Sequence, residues 1–265
     1  MLTVREDAVN VPLIIVSIPG LAIRLTVEMQ RSYERQKGKN TMLRSDTRMS
    51  SMTAWLAIAA IIAYQLLLIA LIFTRPDLDP SWHTISEWAI GPHGWIMSLS
   101  FLISALSYGL LFVTLRSQVQ GKWGKAGLVI LLICFVGTVG VGVFTTDPLD
   151  AKSLTTRGTL HIIFGTSALV LLPWSALLIN LSLARRNPAW ASARRVLRWT
   201  AGLPLVGFVG FVVYTVIFVV PLGPHAYGPG VHIGWPPRFA FFTYALWLIA
   251  LSWEAIRVQR VSSTN

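Results

Sequence analysis

Charge is scarce in this chain, and acidic charge is scarcest: charged residues make up 12%, with 11 Asp and Glu against 22 Lys and Arg. A water-soluble domain carries about 25% charged residues. At half that density the chain cannot cover a water-facing surface, which argues against an ordinary soluble enzyme. Cysteine is almost missing too. The single thiol, Cys134, lies in an apolar run, so it cannot form an intramolecular disulfide and reads as a buried structural residue. Sustained period-2 alternation is lacking, which argues against a β-barrel. No recognised zinc spacing occurs, the two halves do not repeat, and the start MLTVRED has no basic n-region of a cleavable signal peptide.

What the chain does have is apolar length. Hydrophobic residues are 54% of it, and the mean hydropathy is +0.62. A helix needs about 20 apolar residues to cross a hydrocarbon core. Six stretches meet this: residues 54–73, 95–115, 126–146, 159–184, 199–222 and 239–258. The expected fold is therefore all-α, a polytopic bundle of six transmembrane helices whose backbones satisfy their own hydrogen bonds in lipid. Glycines in the third and fifth stretches fit close helix packing, and Pro173 and Pro204 predict kinks in the fourth and fifth. Residues 1–53 form an N-terminal cytoplasmic or interfacial extension, and residues 54–260 the membrane domain. Within the extension, residues 8–23 are apolar but short and hold Pro12, Pro19 and Gly20, as an interfacial or re-entrant segment would. Residues 24–50 are polar and basic, expected to be extended or loosely helical.

The basic residues alternate with the spans. Eighteen Lys and Arg fall before the first span, after the second and fourth, and after the sixth; only Arg75, Lys152, Arg157 and Arg238 fall on the other side. The positive-inside rule then puts both termini in the cytoplasm of a cell-membrane protein. It also accounts for the net charge of +11 through the bilayer and its anionic headgroups, with no nucleic acid required. The segment 185–198, with five arginines, Trp190 and Trp199 at its margin, reads as lying on the inner headgroups.

This orientation collects the chemistry at one end. All five histidines (His83, His93, His161, His225 and His232) lie at or near the outer face with Glu87, Asp147 and Asp150. His83 and Glu87 are four apart, so one helical turn would align them. Asp147-Pro148 ends the third span at the hydrocarbon boundary, where ionisable groups are functional candidates. Arg157 and His161 open the fourth span, close enough for Asp147 to contact either. The candidate outer-face site is thus Asp147, His161, Glu87, Ser86, His83, Arg157 and His232.

Two runs carry a family resemblance. Ser86-Glu87-Trp88-Ala89-Ile90-Gly91-Pro92-His93-Gly94-Trp95 resembles an "SE-aromatic-x-x-G-P-x-G-W" helix entry. Gly142-Val143-Phe144-Thr145-Thr146-Asp147-Pro148, followed by Gly158-Thr159-Leu160-His161, resembles a "G-x-F-x-x-D-P … G-x-L-H" pair. Together they are similar to the domain of unknown function 998 family of six-span prokaryotic membrane proteins, over residues 54–260. The resemblance implies fold and topology and no activity. Two functions stay open: a ligand-binding or structural membrane component, taking a small or lipid ligand at the polar outer site, and a metal-dependent hydrolase of a lipid-linked substrate. Zinc would suit the second, held by imidazole and carboxylate with an open position for water. Zinc hydrolases of the alkaline ceramidase type, however, carry a His-x-x-x-His pair on a late helix, whereas His225 and His232 are seven apart in a Gly- and Pro-rich loop.

Overall fold

The computed structural model describes residues 19–223 and 228–264, with side chains at 30–35, 37, 51–223 and 228–261. His225 and most of the short apolar segment 8–23 lie outside the described residues. The chain divides into two units, Met1–Asp46 and Thr47–Asn265. In the first, residues from Pro19 onward are helical, as part of α1 (Pro19–Thr74), so the basic stretch 24–50 is regular helix rather than extended chain.

The second unit is an all-α bundle. Its elements are the Ser51–Thr74 portion of α1, a 3-10 turn (Ile85–Ala89), α2 (Gly94–Leu115), α3 (Gly121–Val143) and α4 (Thr156–Arg186). A second 3-10 turn (Pro188–Ala193), α5 (Arg194–Thr200), α6 (Leu203–Tyr214) and α7 (Trp235–Thr264) complete it. Among the described residues, six helical stretches are long and apolar enough to cross a membrane, matching the expected count. Among the described residues there is no strand.

The departures from the expected spans have local causes. The third span ends at Val143, not 146. Pro148 lacks the N–H that would have bonded the Phe144 carbonyl, and it pushes the preceding Asp147 toward extended backbone. The fifth span is not one α-helix. Pro204 sits at the start of α6, where its missing N–H costs no hydrogen bond, so it begins a helix rather than kinking one. Beyond Tyr214 the chain loosens into a π-turn, Thr215–Val219, and a 3-10 turn, Val220–Leu222. Pro221 there can neither donate to the Ile217 carbonyl nor fit beside it. Helix α4 continues through Pro173.

Close packing joins α3 to α4. A Cβ at Gly137 would come within 2.9 Å of the Phe164 carbonyl, and one at Gly127 within 3.0 Å of Ile179 and Leu178. Polar side chains add interhelical bonds, which suit an apolar solvent. Ser175 Oγ donates to the Gly127 carbonyl (2.9 Å), Tyr244 Oη to that of Leu169 (2.7 Å), and Trp247 Nε1 to Asn180 Oδ1 (3.1 Å). Trp190, expected at the headgroups, is instead fully buried and donates to Gln118 Oε1 at 3.0 Å. Trp199 is exposed, as are Arg185, Arg186, Arg194, Arg195 and Arg198. Along α6 and its extension Val206, Val209, Val213, Ile217 and Phe218 face outward, as a lipid-facing surface requires.

Candidate functional site

The two sequence motifs meet at one side chain. His161 lies in the second turn of α4 and is 4% exposed. Its Nδ1 is 2.7 Å from the Phe144 carbonyl, and its Nε2 is 2.8 Å from Ser86 Oγ. A carbonyl can only accept, so Nδ1 carries the proton and donates. That leaves Nε2 as the acceptor for the Ser86 hydroxyl. The Phe144 carbonyl is available for this role because of Pro148, four residues on. The ring of Phe101, on α2, meets the imidazole edge-on with centroids 6.1 Å apart.

Asp147 does not touch His161 or Arg157, contrary to the expected network. Its carboxylate accepts from Thr155 N (2.7 Å) and Thr155 Oγ1 (2.9 Å), while Thr155 Oγ1 accepts from Gly158 N at 3.1 Å. Thr155 thereby caps α4, and Asp147 fixes the cap with its charge near the helix N-terminus, the favourable end. A Cβ on Gly158 would collide with Asp147 Oδ2, so the glycine of the second motif makes room for the carboxylate. Arg157 is exposed and forms no ion pair among the described residues.

Glu87 and His83 do not align either, because the helical turn starts only at Ile85 and is 3-10. Glu87 closes a capping box, accepting from Thr84 N at 2.8 Å. Its other oxygen reaches Leu149 N at 3.5 Å, linking the first connection to the one after α3. His83 turns back, its Nδ1 3.1 Å from the Asp79 carbonyl and its ring against Trp82. His232 is exposed with φ +49°, beside Tyr214 and Trp235. Among the described residues no three His, Cys, Asp or Glu side chains gather as a metal ion would need. The donors considered for zinc are thus spent separately: Asp147 on a helix cap, Glu87 on a turn, His161 on a serine and a carbonyl.

Two arginines counted in the sequence only as topological charges hold these loops. Arg75 chelates Asp77 (2.7 Å at the closest) and donates to the carbonyls of Ile90 (2.9 Å) and Pro92 (3.3 Å). Its guanidinium holds the Asp77 carboxyl below the usual carboxylate range. The N–H and hydroxyl of Ser81 do the same for Asp79. Arg238 Nη1 donates to the carbonyls of Pro80 (3.1 Å), His83 (3.0 Å) and Gly234 (2.7 Å), with its guanidinium 4.6 Å from the ring centre of buried Trp88.

Beneath these loops lies a cavity of about 430 Å³. Ser86, Thr146, Asp147 and His161 line its loop end. Tyr64, Phe101, Tyr108, Val141, Leu169, Phe211 and Phe241 line its depth, so every span contributes a wall. The hydroxyl of Thr138, also on the wall, is turned back to the Cys134 carbonyl at 2.8 Å.

A known family model spans this arrangement. The model described as "Protein of unknown function (DUF998)" matches residues 57–254. The chain belongs to the DUF998 family. No curated protein and no solved structure matches the chain. The DUF998 match excludes the first 56 residues and includes both motifs, whose side chains and backbone carbonyls converge on His161. Together with the six apolar helices, it supports a multi-pass membrane protein of a family without an assigned activity.

Proposed function

We propose that this multi-pass membrane protein binds an amphipathic lipid, with the apolar chain in the bundle cavity and the polar group at Ser86 and His161. The cavity carries the reading. It has the volume of ligand pockets, about 300–1,000 Å³, with mostly apolar walls, the hydroxyl residues Tyr64, Ser104, Tyr108 and Thr138 among them, and with Ser86, Asp147 and His161 together at the loop end. A purely structural role would favour filling such a space, since voids in packed interiors are destabilising.

Gly165 gives the test. It lines the cavity, and a Cβ built there meets only Val141 Cγ2 at 3.4 Å. Gly165→Leu should raise stability by about 0.5–1 kcal/mol through helix propensity alone. It should at the same time weaken retention of an added lysophospholipid about tenfold or more, read by native mass spectrometry from detergent. Unchanged lipid retention in a stable Gly165→Leu protein would count against the cavity as the binding site.

The same proposal includes orientation in the cell membrane. The loop end faces outward and both termini lie in the cytoplasm, with the exposed arginines of residues 185–198 on anionic inner headgroups. Cys134 is buried, so added cysteines can report alone. A membrane-impermeant maleimide should label Lys152→Cys in intact cells and Arg194→Cys only after permeabilisation. The reverse pattern would invert the topology.

A further inference from the structure

We infer that Ser86 and His161 form a nucleophile and general-base pair that cleaves carboxylic esters of lipids. The substrate class rests on the lipid-binding reading above. The base function rests on hydrogen-bond geometry. A serine hydroxyl is a weak nucleophile until an adjacent base can take its proton, and the signature is a base within about 2.6–3.2 Å that is itself oriented by a third group. Here all three parts are present. Ser86 Oγ is 2.8 Å from Nε2, and Nδ1 is tied to the Phe144 carbonyl at 2.7 Å. The carbonyl selects the tautomer with a bare Nε2 and is a positioning group that favours the imidazolium once formed. Ser86 is half-buried while His161 is buried, and both line the cavity, so an ester group can reach the hydroxyl. A merely structural serine–histidine bond would have no need of an adjoining apolar chamber.

The reaction balances with water as the only co-reactant. Ser86 Oγ attacks the ester carbonyl carbon, and its proton passes to His161 Nε2. The tetrahedral adduct collapses by breaking the bond to the alkoxy oxygen, which takes that proton and leaves as the alcohol. Ser86 is then acylated. Water attacks the acyl carbon, giving one proton to Nε2. The carboxylic acid departs as the acyl–oxygen bond to Ser86 breaks, and the proton on Nε2 returns to Ser86 Oγ.

The test uses the full chain purified in detergent and a decyl fluorophosphonate, which phosphonylates activated serines with loss of fluoride. Peptide mass spectrometry should place one adduct on Ser86, absent in Ser86→Ala. His161→Gln keeps an amide able to donate to the Phe144 carbonyl and accept from Ser86, so the local fold is kept without a base. Labelling should fall about 10²–10⁴-fold in that variant, and hydrolysis of p-nitrophenyl decanoate should fall with it. Lysophospholipid retention, measured in the same samples, separates the two readings. If lipid is retained but Ser86 stays unlabelled, or labels equally fast in His161→Gln, the base role is overturned and lipid binding stands. If Ser86 labels in the expected way but no lipid is retained, the dyad stands and the lipid reading falls. If neither occurs, both are overturned.

Discussion

Arg238→Met is expected to lower the unfolding free energy of the detergent-solubilised protein by about 3 kcal/mol. One guanidinium nitrogen serves three carbonyls, those of Pro80, His83 and Gly234. Hydrogen bonds involving a charged partner contribute about 1.5–3 kcal/mol, and a desolvated cation over an indole about 2. Two effects oppose this. The other terminal nitrogen, Nη2, is buried without a hydrogen-bond partner, and removing an unsatisfied donor relieves about 1–3 kcal/mol. Removing a partly buried cation also lifts part of its desolvation cost. The balance still favours arginine, because methionine takes this donor from the Pro80 and His83 carbonyls, while the Gly234 carbonyl keeps the Arg238 N–H at the start of α7. A backbone contact reinforces it: Gly234 N donates to the Ser81 carbonyl at 2.9 Å. Arg238→Lys keeps the charge but not the planar fork, and should lose about half as much. Unfolding titrations in SDS would measure all three proteins, and hydrogen exchange should rise at residues 79–90 in Arg238→Met. Equal stability of Arg238→Met and the parent would show that the loops hold themselves.

The spans were legible because each apolar run must cover the hydrocarbon thickness, and length alone states that. Their ends were less so. Hydropathy carries the third span to 146 because Val143, Phe144 and the threonines remain apolar enough; it does not register that Pro148 withholds a donor from Phe144. In the fifth, hydropathy runs on as one helix with a kink, although Pro204 is better placed to start a helix than to bend one. For the site, the residue list was legible and most pairings were not. The four-residue spacing of His83 and Glu87 suits an α-helical turn, but the chain makes a 3-10 turn that begins two residues after His83. Proximity in sequence points Asp147 to Arg157 or His161, while Thr155 offers it both an N–H and a hydroxyl. Ser86 and His161 are 75 residues apart, so nothing local could have paired them. The shared signal was indirect: each belonged to a motif at the same end of the bundle. Arg238 was visible only as a charge on that side, since its acceptors are backbone carbonyls, which every residue has.

Asp147 and Gly158 supply the other large effect, and it separates a scaffold role from a chemical one. Asp147→Ala removes two hydrogen bonds to a carboxylate beside a helix N-terminus, an expected loss of about 2 kcal/mol. Gly158→Ala should cost about as much for a different reason: its new methyl group collides with Asp147 Oδ2 and must push the carboxylate off Thr155. Once the carboxylate is gone, most of that collision is gone with it, leaving a tight approach of 3.2 Å to Asp147 N. The double variant Asp147→Ala/Gly158→Ala should therefore be little less stable than Asp147→Ala alone, a coupling of about 1.5 kcal/mol or more where additivity predicts none. Unfolding free energies of the four proteins close this cycle. Strict additivity would mean that Asp147 and Gly158 do not share the space the structure assigns them. The consequence reaches His161 through the chain itself, because Asp147 anchors the segment that carries the Phe144 carbonyl three residues earlier. Asp147 thus acts on the imidazole by placing its hydrogen-bond acceptor, and Asp147→Ala should slow fluorophosphonate labelling of Ser86 less than His161→Gln does.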